Sequence, residues 1–141
     1  MGQFALMLAV GGLSIVCRDA SKNPPLVFCG IAFLAIAAIC GLGGAMALGR
    51  NLTPFPKPSA GKGIVQSGIY GRMRHPLYTS VFCAALGWSL VWHSWSGFTA
   101  SLALAMFLDA KARREERWLR RRFPDYAQYA KRVRRFIPWI Y

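Results

Sequence analysis

Residues 26–48 read LVFCGIAFLAIAAICGLGGAMAL, a run of 23 residues without a charge. A helix needs about 20 consecutive apolar residues to cross the hydrocarbon core of a bilayer, so this stretch predicts a membrane-spanning helix. The whole chain has 141 residues and is 55% hydrophobic, which is typical of a membrane protein. We therefore expect one membrane-embedded domain covering residues 1–141.

Two further uncharged segments predict the remaining spans. Residues 2–17 lack the basic start and the cleavage site of a signal peptide, so we expect a retained helix there. Residues 77–108 are too long for one span, because a helix rises about 1.5 Å per residue. At their centre, residues 92–97 read WHSWSG and combine interfacial tryptophans with polar residues and a glycine. This composition predicts a turn between spans at about 77–92 and 95–108.

The basic residues predict the orientation of these spans. The chain has a formal net charge of +13, and most of its lysines and arginines lie in residues 49–76 or after residue 108. By the positive-inside rule, both segments and both termini face the cytoplasm, and we expect the bacterial inner membrane. The predicted fold is an all-α polytopic membrane protein with about four spans, a cytoplasmic loop at 49–76 and an amphipathic helical tail at 109–141. Because the charges flank apolar spans, anionic lipid headgroups are the expected partner and nucleic acid is not.

The tail carries the only adjacent carboxylates in the sequence. At 100° per residue, one stripe of the predicted helix contains Leu108, Ala112, Glu115, Leu119 and Phe123, with Glu116 at its edge. Glu115 is therefore expected to be the more buried glutamate. Five arginines fall on the opposite side: Arg113, Arg114, Arg117, Arg120 and Arg121. The alternative is that both glutamates only form exposed ion pairs at helical spacing, worth a few tenths of a kcal/mol each.

A second polar island, residues 68–78, reads GIYGRMRHPLY and lies at the same predicted membrane boundary. A carboxylate on an apolar face is costly unless it meets a cation, and this island supplies Arg72, Arg74 and His75. Aromatic rings that can face a positive centre are also available; they are Tyr70, Tyr78 and Trp118. Cations, carboxylates and aromatics together suit S-adenosylmethionine, which carries an amino-acid zwitterion, a ribose and a sulfonium. The four cysteines form no Cys-x-x-Cys pair and only two histidines accompany them, so no metal site is expected.

The order of the motifs resembles a known family. Residues 74–78 read RHPLY and are followed by Glu115 and Glu116. The further matching positions are Leu119, Phe123, Tyr126, Tyr129, Val133, Arg135 and Pro138. This pattern, over about residues 49–138, resembles the isoprenylcysteine carboxyl methyltransferase-like family of integral membrane methyltransferases. Related phospholipid methyltransferases share the Arg-His-Pro and Glu-Glu elements.

The resemblance implies a helical membrane fold with S-adenosylmethionine bound in a cytoplasm-facing pocket of the C-terminal half. Matched by position, the implied cofactor-binding residues are Tyr70, Arg74, His75, Pro76, Tyr78, Glu115 and Glu116. Within this set Arg74, His75 and Glu116 are the implied catalytic residues. Tyr126, Tyr129 and Arg135 are the expected contacts of the methyl acceptor.

The expected reaction is in-line transfer of a methyl group to a lipophilic acceptor that arrives from the bilayer. A carboxylate or thiol acceptor needs mainly positioning and exclusion of water, whereas an amine must first lose a proton to His75 or a glutamate. Three other roles stay open: a non-catalytic membrane assembly or lipid-binding protein, a membrane reductase of related architecture, and a small transporter. The absence of Asp and Glu from the apolar spans counts against the transporter. The oligomeric state is not predicted.

Overall fold

The computed structural model describes residues 2–19, 23–49 and 64–141. Five α-helices follow one another in these ranges: α1 Gly2–Val16, α2 Pro24–Leu48, α3 Pro76–Val91, α4 Trp95–Arg122 and α5 Tyr126–Arg132. A 3-10 turn at Gly68–Gly71 precedes α3. The same ranges contain no β-strand, only an isolated bridge between Met73 and Arg134. The predicted all-α class is confirmed, and the predicted loop at 49–76 is described at its first residue and from Ile64 onward.

Prolines and a serine set the helix starts. Proline is favoured in the first helical turn, where its missing N–H costs no hydrogen bond, and it begins both α2 and α3. Ser94 caps α4, because its Oγ accepts a hydrogen bond of 3.1 Å from the Gly97 amide. Only three residues separate α3 from α4, so the predicted turn is confirmed.

Glycines bring α2 and α3 into direct backbone contact. A Cβ added to Gly87 would lie 2.7 Å from the Gly30 carbonyl oxygen, and one added to Gly30 would lie 2.8 Å from that of Gly87. Near the other end of the pair, Gly44 faces Leu77, so the two helices run antiparallel. Small residues at such crossings are typical of helix packing in membranes, where close van der Waals contact replaces the hydrophobic effect.

A second contact layer joins α1 to α3 and α4. Its apolar core consists of Val10, Ala85, Leu104 and Leu108. Toward the α3–α4 turn the buried side chains become polar, and the Ser89 and Ser101 hydroxyls lie 3.0 Å apart in a hydrogen bond. Each of these two hydroxyls also lies within hydrogen-bonding distance of a carbonyl four residues earlier, so one hydroxyl donates to the other and the second donates to its carbonyl.

Large apolar side chains cover the outside of the helices. Among the described helices, α2 is long and apolar enough to cross a membrane, while α1 and α3 are apolar but shorter. The most exposed apolar side chains on these helices and on α4 are Leu8, Val16, Phe28, Ile39, Leu42, Met46, Trp95 and Met106. An apolar outer surface of this extent is suited to contact with lipid rather than with water.

Helix α4 joins the predicted fourth span and the first part of the predicted tail in one continuous helix. A span at 95–108 and a distinct tail were expected, but α4 continues without a break from Trp95 to Arg122. The residues after Leu108 are alanine, lysine, arginine, glutamate and leucine for the most part, which are strong helix formers. No glycine or proline interrupts them, so the helix carries the two glutamates directly from the apolar core into the basic region.

Candidate functional site

Two extended segments bring the RHPLY motif against the end of the chain. The Arg74 amide donates to the Arg134 carbonyl at 2.8 Å, and the His75 amide donates to the Arg135 carbonyl at 3.0 Å. This short parallel pairing places residues that are some 60 positions apart in sequence side by side. Both segments lie next to the second half of α4, which supplies the glutamates.

The structure corrects the assignment of the buried glutamate. Glu116 is 3% exposed, whereas Glu115 is half-buried, the reverse of the expected order. The buried stripe of α4 advances in steps of four residues through Leu104, Leu108, Ala112 and then Glu116. The predicted stripe shared Leu108 and Ala112 but turned toward Glu115, because Leu119 and Phe123 extended the apolar pattern in that direction.

The Glu116 carboxylate accepts hydrogen bonds from three side chains. Its Oε1 accepts from Arg74 Nε at 3.0 Å, from His75 Nε2 at 3.2 Å and from Arg135 Nε at 3.0 Å. Its Oε2 accepts from Arg135 Nη2 at 3.0 Å. Burial raises the pKa of Glu116, but the hydrogen bonds from His75, Arg135 and Arg74 outweigh it and hold the pKa well below its usual range. Glu116 is therefore ionised, and His75 must carry a proton on Nε2 to donate to it.

Arg74 is tied to two elements at once. Besides Glu116 on α4, its Nη1 donates to the carbonyls of Ala130 at 2.7 Å and Val133 at 2.6 Å. These carbonyls lie at the C-terminal end of α5, where the helix leaves oxygens without intrahelical partners. The guanidinium thus caps α5 and joins it to α4, so its donors are already used within the protein.

Glu115 belongs to a more open group of side chains. Its Oε2 accepts a hydrogen bond of 2.8 Å from the Tyr78 hydroxyl, its one such bond among the described residues. The Tyr78 ring stacks on His75, with centroids 5.2 Å apart and planes 3° from parallel. The Lys111 ammonium lies over the Tyr78 ring, 5.0 Å from its centroid, and donates to Gln3 Oε1 at 2.7 Å. This group therefore links α1, α3 and α4 beside the Glu116 cluster.

Three further tyrosines belong to the implied site, of which Tyr126 and Tyr129 are buried and Tyr70 is half-buried. The Tyr129 hydroxyl donates to the Tyr70 carbonyl at 2.6 Å, and burial raises the pKa of Tyr129 to about 12, against the opposing effect of Arg74. Burial, and after it the Glu115 carboxylate, raises the pKa of Tyr70. Tyr126 is buried and its hydroxyl has no partner among the described residues. All three stay protonated and neutral at physiological pH.

The structure separates the implied site residues into three sets. Arg74, His75, Glu116 and Arg135 form one cluster around the Glu116 carboxylate. Tyr78 and Glu115 form the adjoining open group, to which Tyr70 is close. The expected acceptor contacts Tyr126 and Tyr129 pack with Val133 in a hydrophobic cluster, Pro76 begins α3 against α2, and Trp118 packs edge-on against Phe123.

Sequence reasoning missed residues that complete both groups. Asp109 accepts from Arg135 at 3.1 Å and from Arg113 at 2.6 Å, and the Tyr141 hydroxyl donates to it at 3.2 Å. Asp109 precedes Glu116 by seven residues, which is two helical turns on one face, and this spacing is the signal that identifies it. Lys111 precedes Glu115 by four residues and is found by the same argument.

Comparison with known proteins gives a family match over most of the chain. The family described as Phospholipid methyltransferase matches residues 25–126. Over 77 residues the chain is 42% identical to the cobalt-zinc-cadmium resistance protein CzcN of Cupriavidus metallidurans, covering 53% of this chain and 35% of that protein. Over 76 residues it is 34% identical to the nickel-cobalt-cadmium resistance protein NccN of Alcaligenes xylosoxydans xylosoxydans, covering 53% and 36%. The matches thus span about a third of the length of these curated relatives.

Proposed function

Because the chain belongs to the phospholipid methyltransferase family, we propose that it is a membrane methyltransferase using S-adenosylmethionine and a lipophilic acceptor. The observation that carries this proposal is the joining of the two motifs at one carboxylate. Arg74 and His75 from one motif both donate to Glu116 from the other, although 42 and 41 positions separate them in sequence. The half-buried Glu115 and the Tyr78 and Tyr70 side chains lie next to the Glu116 cluster.

We propose that the two halves of the site have different tasks. Glu116 and Arg74 have their hydrogen-bonding capacity filled within the protein, so they position the surrounding side chains. Glu115 accepts one hydrogen bond among the described residues, at Oε2, and is partly exposed, so it suits a ligand ammonium or ribose hydroxyl. The Lys111 ammonium lies over the Tyr78 ring, and this contact supports the proposal that the ring face accepts a positive centre.

The donor set fits S-adenosylmethionine, which when bound supplies an activated methyl group and leaves as a neutral thioether. The protein's own contribution is to hold acceptor and methyl donor in line and to exclude water. For a carboxylate or thiolate acceptor this positioning is sufficient. For an amine acceptor, the neutral Nδ1 of His75 is the atom that takes the proton, because Nε2–H is already held by Glu116 and the carboxylate stabilises the resulting imidazolium.

We also propose a four-span arrangement for this single domain in the bacterial inner membrane. The spans are α1, α2, α3 and the first part of α4, ending near Leu108. Their exposed apolar side chains and the length of α2 support this arrangement. The cluster at Glu116 then lies at the basic, cytoplasmic end, where S-adenosylmethionine is available.

The names of the two relatives refer to metal resistance, and we assign no metal site to this chain. Among the described residues no group of three or more His, Cys, Asp or Glu side chains is placed to hold a metal ion. The acceptor atom, whether oxygen, sulfur or nitrogen, is left open.

Titration calorimetry on the purified protein, in several detergents and in lipid nanodiscs, tests the cofactor. We expect S-adenosylmethionine and its demethylated product to bind, with no preference for NADPH. Preference for NADPH would favour the membrane reductase, and absence of all binding at millimolar concentration would favour a non-catalytic assembly or lipid-binding protein.

Reporter fusions test the topology separately. Fusions after Arg18 and at His93 should report the outside, and fusions near Lys62 and after Tyr141 the cytoplasm. A C-terminus on the outside would remove the proposed site from cytoplasmic S-adenosylmethionine and contradict the arrangement.

A further inference from the structure

A pocket of about 240 Å³ opens beside the extended segments at the basic end of the molecule. It is lined by Gly71, Arg72, Lys131, Arg132, Arg134 and Trp139. None of these residues belongs to the implied cofactor or acceptor site. Pockets for small molecules usually measure about 300 to 1,000 Å³, so this one suits a group smaller than an adenosyl cofactor.

Four of the six lining residues are cations, and the ion pairs that Asp109 and Glu116 form among the described residues involve none of them. The sequence has five Asp and Glu side chains, so few remain to balance the pocket. Asp109, Glu115 and Glu116 are hydrogen-bonded within the site described above. Asp125 precedes α5, whose far end carries the pocket residues Lys131 and Arg132, about 9 Å away along the helix axis.

The fifth carboxylate, Asp19, follows α1 at the opposite end of the molecule. The C-terminal end of α1 contacts the α3–α4 turn, because the Leu13 carbonyl accepts a hydrogen bond from Ser94. The turn and the pocket residue Arg72 lie at opposite ends of α3. Unbalanced cations that share a pocket repel one another, and an anion bound among them relieves that repulsion. Three arginines and one lysine line this pocket. Arginine suits phosphate well, since one guanidinium group can donate two parallel hydrogen bonds to its oxygens.

The rim of the pocket is apolar and exposed. Trp139 is 84% exposed, and its neighbours Ile137 and Ile140 are 49% and 76% exposed. Tryptophan beside basic residues is the composition found at the headgroup level of membranes, where the ring enters the interface and the cations meet phosphates. Charge, size and rim therefore point to the same type of ligand.

We propose that this pocket binds the phosphate of an anionic phospholipid headgroup, with Trp139 and its apolar neighbours inserted beside it. This lipid is distinct from the methyl acceptor, and the proposal holds whether or not the site binds S-adenosylmethionine. Arg134 directly precedes Arg135, and Arg72 lies two residues before Arg74. A lipid held by the outward-facing arginines therefore steadies both segments that carry the Glu116 cluster.

The test is lipid titration of the detergent-purified protein, with native mass spectrometry counting the bound molecules. Phosphatidylglycerol should bind saturably, while phosphatidylcholine, inorganic phosphate and glycerophosphoglycerol should bind much more weakly. The double variant Arg72→Gln/Arg134→Gln should weaken phosphatidylglycerol binding by about tenfold to thirtyfold, since each of the two removed cations contributes a similar share of the attraction to an anionic lipid. The matched control is Arg117→Gln/Arg121→Gln, which removes the same charge from exposed α4 positions and should change affinity less than about twofold.

Three results would overturn the proposal. Equal weakening in the control variant would show that net charge alone attracts the lipid. Equal binding of phosphatidylcholine would show that anionic charge is not recognised. Tight binding of inorganic phosphate or glycerophosphoglycerol would identify a soluble phosphate compound as the ligand and exclude docking of the lipid. All four substituted arginines are exposed, so a thermal unfolding scan should show folded protein in both variants.

Discussion

The Arg135 guanidinium and the Glu116 carboxylate form a two-point ion pair, with Nε–Oε1 and Nη2–Oε2 distances of 3.0 Å each. Arg74 and His75 donate to the same carboxylate from the other side of the site. The last described segment of the chain is thereby fixed to α4 by hydrogen bonds within the protein. Such internal hydrogen bonds hold neighbouring side chains in position for binding, which preorganises the site.

Glu116→Gln should destabilise the protein strongly. The substitution leaves the Arg74 cation without a carboxylate partner among the described residues and leaves Arg135 with Asp109 alone; breaking a buried ion pair in this way typically costs about 3 to 5 kcal/mol of unfolding free energy. Glu115→Gln, which alters one hydrogen bond of a half-buried group, should cost less than about 1.5 kcal/mol. Thermal or denaturant unfolding in detergent compares the two. Equal losses would contradict the central role of Glu116.

The same carboxylate predicts how stability depends on pH. The folded-state pKa of Glu116 is depressed below its ordinary value of 4.5. Its contribution is therefore fully present above the ordinary value and is lost as the pH falls below it toward the depressed one. The unfolding midpoint of the native protein should fall on acidification below about pH 4.5, and Glu116→Gln should give a shallower fall. Parallel curves for the two proteins would place the acid sensitivity elsewhere.

The two glutamates also show what the sequence could and could not predict. The helix, its buried positions Leu108 and Ala112, and the meeting of the glutamates with the RHPLY motif were all predicted from residue patterns. The prediction that Glu115 is the more buried glutamate was wrong, because apolar periodicity does not identify a carboxylate that is buried by pairing with cations. The side chains that donate to Glu116 are 41, 42 and 19 positions away in sequence, so only the tertiary structure reveals them.

The helix boundaries were also predictable only in part. The break at 92–97 was predictable, because glycine, serine and interfacial tryptophans coincide there. The continuity of α4 past Leu108 does not follow from the apolar pattern, which indicates where a span ends and not where a helix ends. Helix propensity, which is high on both sides of that point, was the better guide.

Lys111→Met should change the discrimination between charged and neutral ligands. The Lys111 ammonium lies over the Tyr78 ring, and its removal frees that face and removes a repelling charge. A cation–π contact is worth about 0.5 to 2 kcal/mol, so S-adenosylmethionine should gain affinity about threefold or more relative to its neutral demethylated product. Calorimetry with both compounds measures the ratio. The same shift in Arg117→Met, an exposed residue of α4, would attribute the effect to overall charge.

The backbone contact between α2 and α3 predicts a steric effect. A Cβ at Gly30 or Gly87 would press on the opposing backbone at 2.8 or 2.7 Å, so Gly30→Ala and Gly87→Ala should each destabilise by about 1 to 3 kcal/mol. Gly11 and Gly12 on α1 meet nothing within 4 Å, and alanine there should be neutral or stabilise by up to about 1 kcal/mol. Unfolding in detergent measures all four. Destabilisation by the α1 variants of equal size would contradict the packing argument.

The central claim, that ligand binding falls to Glu115 within a framework held by Glu116, is tested most directly by the affinity of Glu115→Gln for S-adenosylmethionine. A hydrogen bond to a charged group is worth about 1.5 to 3 kcal/mol, so calorimetry should show affinity about tenfold to a hundredfold weaker than native. The unfolding midpoint should stay close to native, and Arg117→Gln, the exposed control on α4, should bind as the native protein does. Native affinity in Glu115→Gln, or an equal loss in Arg117→Gln, would contradict the claim.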